Sequence, residues 1–255
     1  RQSINPLKFG VIASTDTHLG TPGAVDESSF QGHGGAGKSF RSSIPEGLPD
    51  DIEFNPGGLA VAWAEENSRS AIFDAFQRKE VYGTSGPRFI VRFFVGDNLD
   101  KNLCNNPDNI SYAYANATPM GGTIASDSLS QPSIFISASA DSSIKDQFIE
   151  KLQVVKGVVR NGELLTTVHD VGVTNAQSKL DIANCEVTGS GEKAMCSVWN
   201  DPNFNSSENA YYYVRVVANK SCRWSHNLCL QNPEYCEADS DASIPKVIQE
   251  RAWTS

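Results

Sequence analysis

From Arg88 onward, apolar and polar positions alternate with a period of two, which predicts half-buried β-strands. Seven such runs stand out: Arg88–Val95, Ser133–Ala140, Leu152–Val159, Glu163–His169, Lys179–Glu186, Ala194–Trp199 and Tyr211–Ala218. Asn161-Gly162 joins two of them as a type I′ hairpin turn. With no helical period between the runs, an antiparallel β-sandwich is the expected fold of this part. Upstream, Lys8–Ser14 reads as a short buried strand ending in the polar run Thr15-Asp16-Thr17-His18. A glycine- and proline-rich stretch without periodicity follows over 19–56, the pattern of a surface loop or lid. Gly57–Ala64 reads as a strand, and Ser68 caps a helix whose apolar face is Ile72, Ala75 and Phe76. Gly83-Thr84-Ser85-Gly86-Pro87 ends that unit and marks a domain boundary near residue 90.

The chain has 255 residues, 39% of them hydrophobic, enough for one large or two ordinary domains. Its 30 acidic and 21 basic side chains give a formal charge of −9, which excludes duplex nucleic acid and an anionic membrane as main partners. The longest apolar run, Phe89–Val95, is interrupted by Arg92, far short of a bilayer span. Arg1 is followed by no charged-then-apolar leader, and the sequence reads as a piece of a longer protein.

Six cysteines point to an oxidising compartment, periplasmic or extracellular. A hairpin turning at Ser190-Gly191 would set Cys185 directly opposite Cys196, within disulfide reach, so a 185–196 bridge is expected. Cys222, Cys229 and Cys236 are spaced by seven, with His226 among them. That spacing is wider than a zinc knuckle uses, and disulfides that include Cys104 are the favoured reading.

Three patterns offer chemistry. Asp16-Thr17-His18 places a carboxylate and an imidazole two residues apart, facing one point if the backbone is extended. Such a pair suits Zn²⁺, Mn²⁺ or Fe²⁺, or simply hydrogen-bonds a turn. Gly32–Ser39 matches a phosphate loop letter for letter, but the flanking sequence lacks the strand and helix that such a loop needs. It is better read as part of the lid, from which His33 and Lys38 can reach a substrate. Glu65 can serve as a general acid or base, or as one of a solvated pair with Glu66; Arg88 can hold an anion, or pair with a carboxylate at the domain junction. Tyr211-Tyr212-Tyr213 must divide between two strand faces and offers a binding platform, or core and edge packing.

Four segments carry a resemblance: Asn5–His18, Gly57–Asn67 continuing through Ala71–Phe76 to Tyr82–Arg88, Pro119–Gly122, and Ile248–Ser255. With these, nearly the whole chain resembles a large, mainly bacterial domain-of-unknown-function family, family 3604, similar to the PHP (polymerase and histidinol phosphatase) metallo-phosphoesterases. The resemblance implies an α+β chain. Residues 1–90 would be the last β/α elements of an incomplete PHP-like barrel with its Gly-rich lid over 19–56, and 91–255 the β-sandwich. It implies Asp16 and His18 as ligands of a divalent metal, with the family's His-x-His ligands absent from this sequence. The expected function is then the C-terminal portion of a metal-dependent, phosphoesterase-like hydrolase acting together with the missing N-terminal part, Glu65, Lys38 and Arg88 serving the substrate. The alternative is a non-catalytic sandwich that binds a carbohydrate or a protein.

Overall fold

The computed structural model describes residues 9–16, 18, 20–30, 56–175, 177–231, 233 and 245–255. They form two antiparallel sheets packed face to face. The larger has six strands in the order β1 (Leu59–Ala62), β2 (Val81–Thr84), β12 (Val247–Thr254), β11 (Ala210–Cys222), β6 (Ile149–Arg160) and β7 (Glu163–Val173). The smaller has the order β10 (Ala194–Asn200), β5 (Pro132–Ser139), β3 (Ile90–Asp97) and β4 (Thr118–Pro119). A separate ribbon pairs β8 (Lys179–Asp181) with β9 (Glu186–Thr188).

The main core lies between the sheets. Val91, Phe93, Ile134 and Ile136 of the smaller sheet meet Tyr82, Leu152, Val154, Val214, Val216 and Ala252 of the larger. The smaller sheet is buried on its other face as well. There Phe94 and Phe135 pack with Leu103 and with Ala113 of α2 (Asn109–Asn116). That second layer explains the unbroken apolar runs Phe93-Phe94 and Ile134-Phe135-Ile136, because a strand covered on both sides need not alternate.

Several expectations hold. Ser68 accepts the N–H of Ala71 at the start of α1 (Arg69–Arg78), and Ala75 is buried. Asn161 and Gly162 both adopt positive φ, and Arg160 pairs with Glu163 across them. α2 and α3 (Trp224–Gln231) were not expected: α2 has one fully buried residue, and three buried residues cluster at the start of α3.

Residues 9–14 form no strand. They run as an extended segment parallel to β2 over the face carrying Val81 and Gly83, with Gly10 against Val81 and Ala13 against Gly83. The N–H of Gly58 donates to the carbonyl of Ser14. No barrel element is present among the described residues. β2 pairs with β12, so the described part of 1–90 shares a sheet with the sandwich. Residues 31–55 of the expected lid, including the phosphate-loop pattern, lie outside the described residues.

The expected Cys185–Cys196 bridge is corrected: Cys104 bonds Cys196, and Cys185 bonds Cys222. The chain does not fold back at Ser190-Gly191. β9 turns instead onto β8 through residues 182–185, and β10 is taken up by β5, where Cys196 faces Ser137. Cys185 thus sits in a turn, far from the register that would oppose it to Cys196. Cys229 is also disulfide-bonded, and no described cysteine is free.

Candidate functional site

A cavity of about 950 Å³ lies against the larger sheet, among the loops that flank its strands. Its wall is assembled from the loop Gly23–Ser28, Pro87-Arg88 after β2, the loop 141–147 after β5, Cys185–Val187, the start of α3, and Glu250 of β12. Most of the wall is loop or strand end, while α3 and β12 supply Asn227 and Glu250 from regular elements.

Glu250 is the deepest acid. It shares a strand face with Ala252 and Thr254, and so continues the core face of β12 past the point where apolar packing ends. Only 3% of it is exposed, and one carboxylate oxygen accepts the hydroxyl of Ser85. Burial pushes its carboxyl up to about 7. Glu27 enters the same cavity from the loop Gly23–Ser28. One of its oxygens accepts the backbone N–H of Trp224 at the start of α3; the other is buried without a hydrogen-bond partner. Burial and the nearby Glu250 charge raise Glu27 to about 8, against the lowering effect of the Trp224 N–H and Arg223. Two carboxyls that hold protons near neutral pH inside one cavity have the properties of a proton donor and acceptor pair.

The loop bearing Glu27 is docked by further contacts. Asn227 donates to the carbonyl of Glu27, and Phe30 packs edge-on against Trp224 at 5.2 Å. Within the loop, Asp26 accepts from Ser28 and Ser29, which outweighs burial and holds its carboxyl below the usual range. Across the cavity, Asp141 accepts the N–H of Arg88 at 2.7 Å and both the N–H and hydroxyl of Ser143. These bonds likewise outweigh burial and keep Asp141 low.

Of the described residues expected to act, only Arg88 lines this cavity. Asp16 and His18 are exposed on the neighbouring rim, where Thr15 packs on Gly57 and Gly57 approaches Gly86. Asp16 has φ +52°, and its N–H donates to the Ser14 hydroxyl. The backbone there is left-handed, so the extended geometry that would aim both side chains at one point is not what forms. Glu65 is exposed beyond the other end of β1, since Leu59 faces Thr84 and Ala62 faces Val81. It and Asp16 therefore lie at opposite ends of the β1–β2 ribbon. Lys38 and His33 fall outside the described residues.

A metal centre is not completed by the described residues. Asp16 and His18 offer two ligands and belong to no close group of three. The one such group among the described residues is Cys185, Cys222 and His226, whose sulfurs are bonded to each other. Sequence reading missed Glu27, which lies in no recognisable motif, and Glu250, whose segment Ile248–Ser255 carried the resemblance without singling out this carboxylate. A charged residue at an inward position of an otherwise core-facing strand, as at Glu250, was the available signal.

No helix of the described residues is long and apolar enough to cross a membrane. No curated protein and no solved structure matches the chain. The model of one family, described as a protein of unknown function (DUF3604), matches residues 1–255, and the chain belongs to that family.

Proposed function

We propose that the chain is the C-terminal portion of a secreted or periplasmic hydrolase, metal-dependent in its complete form, with phosphoesters as the first substrate class to test. The observation that carries the hydrolase reading is the Glu27–Glu250 pair, two carboxyls with proton affinities near neutral facing an open cavity. Hydrolysis needs a group that takes a proton from the attacking water and one that returns a proton to the leaving group, and such a pair supplies both. Arg88 stands at the same cavity and can orient an anionic group through its planar fork of donors. The remaining carboxylates there, Asp26, Asp141, Asp146 and Glu186, oppose an anion, so a phosphoester enters only with cations to offset them.

Asp16 and His18 support the metal-dependent part of the reading, as exposed ligand types on the rim beside the cavity. If the kinship with PHP enzymes holds, these two residues are the metal ligands it assigns here, and the further ligands would come from outside the described residues. Hydrolysis of phosphomonoesters and phosphodiesters by the full-length protein tests the reading. Glu250→Gln, Arg88→Ala and the pair Asp16→Ala/His18→Ala should each lower turnover. Full activity in all three variants overturns it.

A second reading is favoured by one specific feature. Tyr211, 45% exposed, lies over Gly157 and parallel to Tyr213, with ring centroids 6.4 Å apart. Beside them, the edge strand β7 exposes Leu164 and Val168. A stacked aromatic pair with its outer ring exposed on an open sheet face is a platform for a carbohydrate ring, and an exposed edge strand can pair with a partner protein.

A further inference from the structure

The Cys185–Cys222 disulfide lies in the cavity wall, and the His226 imidazole meets it there from the protein side. One ring nitrogen and the two sulfurs all lie within 4.8 Å of one another. Two short pieces of chain produce this meeting. Cys222 and His226 stand four apart where β11 runs into α3, a ligand spacing that structural zinc sites use. Cys185 comes from the turn between β8 and β9. The Asp181 carboxylate fixes that turn by accepting the N–H of Ala183 and the side-chain amide of Asn184.

The same turn orients the histidine. His226 Nε2 lies 2.7 Å from the carbonyl of Ile182. A carbonyl only accepts, so the hydrogen is on Nε2 and the neutral ring keeps its lone pair on Nδ1. A metal-binding histidine is commonly held this way, by a carbonyl on its other nitrogen. His226 is 8% and Cys222 5% exposed, while both sulfur-bearing residues border the cavity. Cys185 holds φ +55°, a left-handed conformation that costs a non-glycine residue and that recurs at functional sites.

We propose that these three residues form a redox-gated site for zinc, closed as a disulfide and opened by a small dithiol reaching it through the cavity. In the opening step the dithiol is oxidised to its own disulfide. The protein S–S bond breaks, and each sulfur receives one electron and one proton. Zn²⁺ then binds Cys185, Cys222 and His226 and displaces the two thiol protons to solvent. Water from the cavity completes four-coordination. Thiolates and imidazole are the donor set that selects zinc over magnesium or calcium.

The test is made on the full chain, reduced and freed of reductant under anaerobic conditions. Co²⁺ is titrated for its thiolate charge-transfer absorption, then displaced by Zn²⁺. The reduced chain should take up metal with a thiolate signature, and the oxidised chain should not. Cys185→Ser/Cys222→Ser should lose one equivalent while keeping whatever the remaining cysteines bind. His226→Ala leaves the disulfide intact during folding, and should bind more weakly after reduction with an altered cobalt spectrum. Equal uptake by the oxidised chain or by the reduced double variant overturns the proposal, as does unchanged affinity and spectrum in the reduced His226→Ala variant or a reduced chain that binds no metal.

Discussion

Glu27 accepts the backbone N–H of Trp224, joining residues 197 positions apart and fastening the loop of residues 23–30 to the start of α3. A carboxylate at a helix N-terminus is ordinarily favoured in its ionised form. Here burial and the facing Glu250 win, and the carboxyl is raised to about 8. The site therefore stores a conflict between its hydrogen bond, which prefers the charge, and its surroundings, which reject it.

That conflict predicts a pH dependence. Glu27 and Glu250 are raised from 4.5 to about 8 and about 7, so the folded chain binds protons that the unfolded chain releases. Their stabilisation is full below the unfolded value and is lost as pH rises through about 7 and then about 8. Tm should fall between about pH 5 and about pH 9, and Glu27→Gln/Glu250→Gln should flatten that fall. An unaltered profile in the double variant would show that other groups set it.

The Lys156 ammonium lies 2.6 Å from the Asp201 carboxylate, with 8% and 0% of the two side chains exposed. Tyr212 donates its hydroxyl to the same carboxylate. Burial raises the Asp201 carboxyl, but the bonds from Lys156 and Tyr212 outweigh it and leave the group lowered. Removing one partner strands a buried charge, at a cost of about 3–5 kcal/mol. Asp201→Asn should lose that much in urea denaturation at neutral pH, while Lys156→Met/Asp201→Leu should recover a substantial part. A double variant as unstable as the single one would disprove the stranded-charge account.

Cys104–Cys196 spans 92 residues and ties the single helical turn at 103–105 to the outer face of the smaller sheet, where both cysteines pack on the second core. Closing so long a loop restricts the unfolded chain, and its loss typically costs about 2–5 kcal/mol. Cys104→Ala/Cys196→Ala should show a loss of that size in chemical denaturation. A loss well below that range would mean the second core holds this corner unaided.

The sandwich was readable because its strands alternate and its turns carry diagnostic residues: Asn161-Gly162 fixes a hairpin whatever surrounds it. The disulfide pairing was not, because it depends on which strand captures β10. Ser190-Gly191 looks like a turn locally, yet β5 offers a full partner with Ile134 and Ile136 on one face and Phe135 on the other. Residues 8–14 misled for a related reason. Their apolar run has the composition of a buried strand, but Phe9 is 71% and Ile12 56% exposed. Only the small residues Gly10 and Ala13 pack closely, against Val81 and Gly83. The cavity was illegible because Glu27 and Glu250 meet through tertiary structure alone.

The tyrosine run settles differently from its sequence. Tyr212 turns inward to Asp201, leaving Tyr211 and Tyr213 on the open face. Tyr211 rests on Gly157, where an added Cβ would stand 2.1 Å from the ring. Gly157→Ala therefore displaces the Tyr211 ring without removing it. If this face binds a carbohydrate, Tyr211→Ala and Gly157→Ala should both abolish binding on a glycan array. Tyr212→Phe, which keeps the ring and loses only the inward hydroxyl, should leave binding intact and lower stability by about 1–3 kcal/mol, the cost of an unmade hydrogen bond to a charged group. Binding that survives Tyr211→Ala would return the pair to ordinary packing of a sheet face.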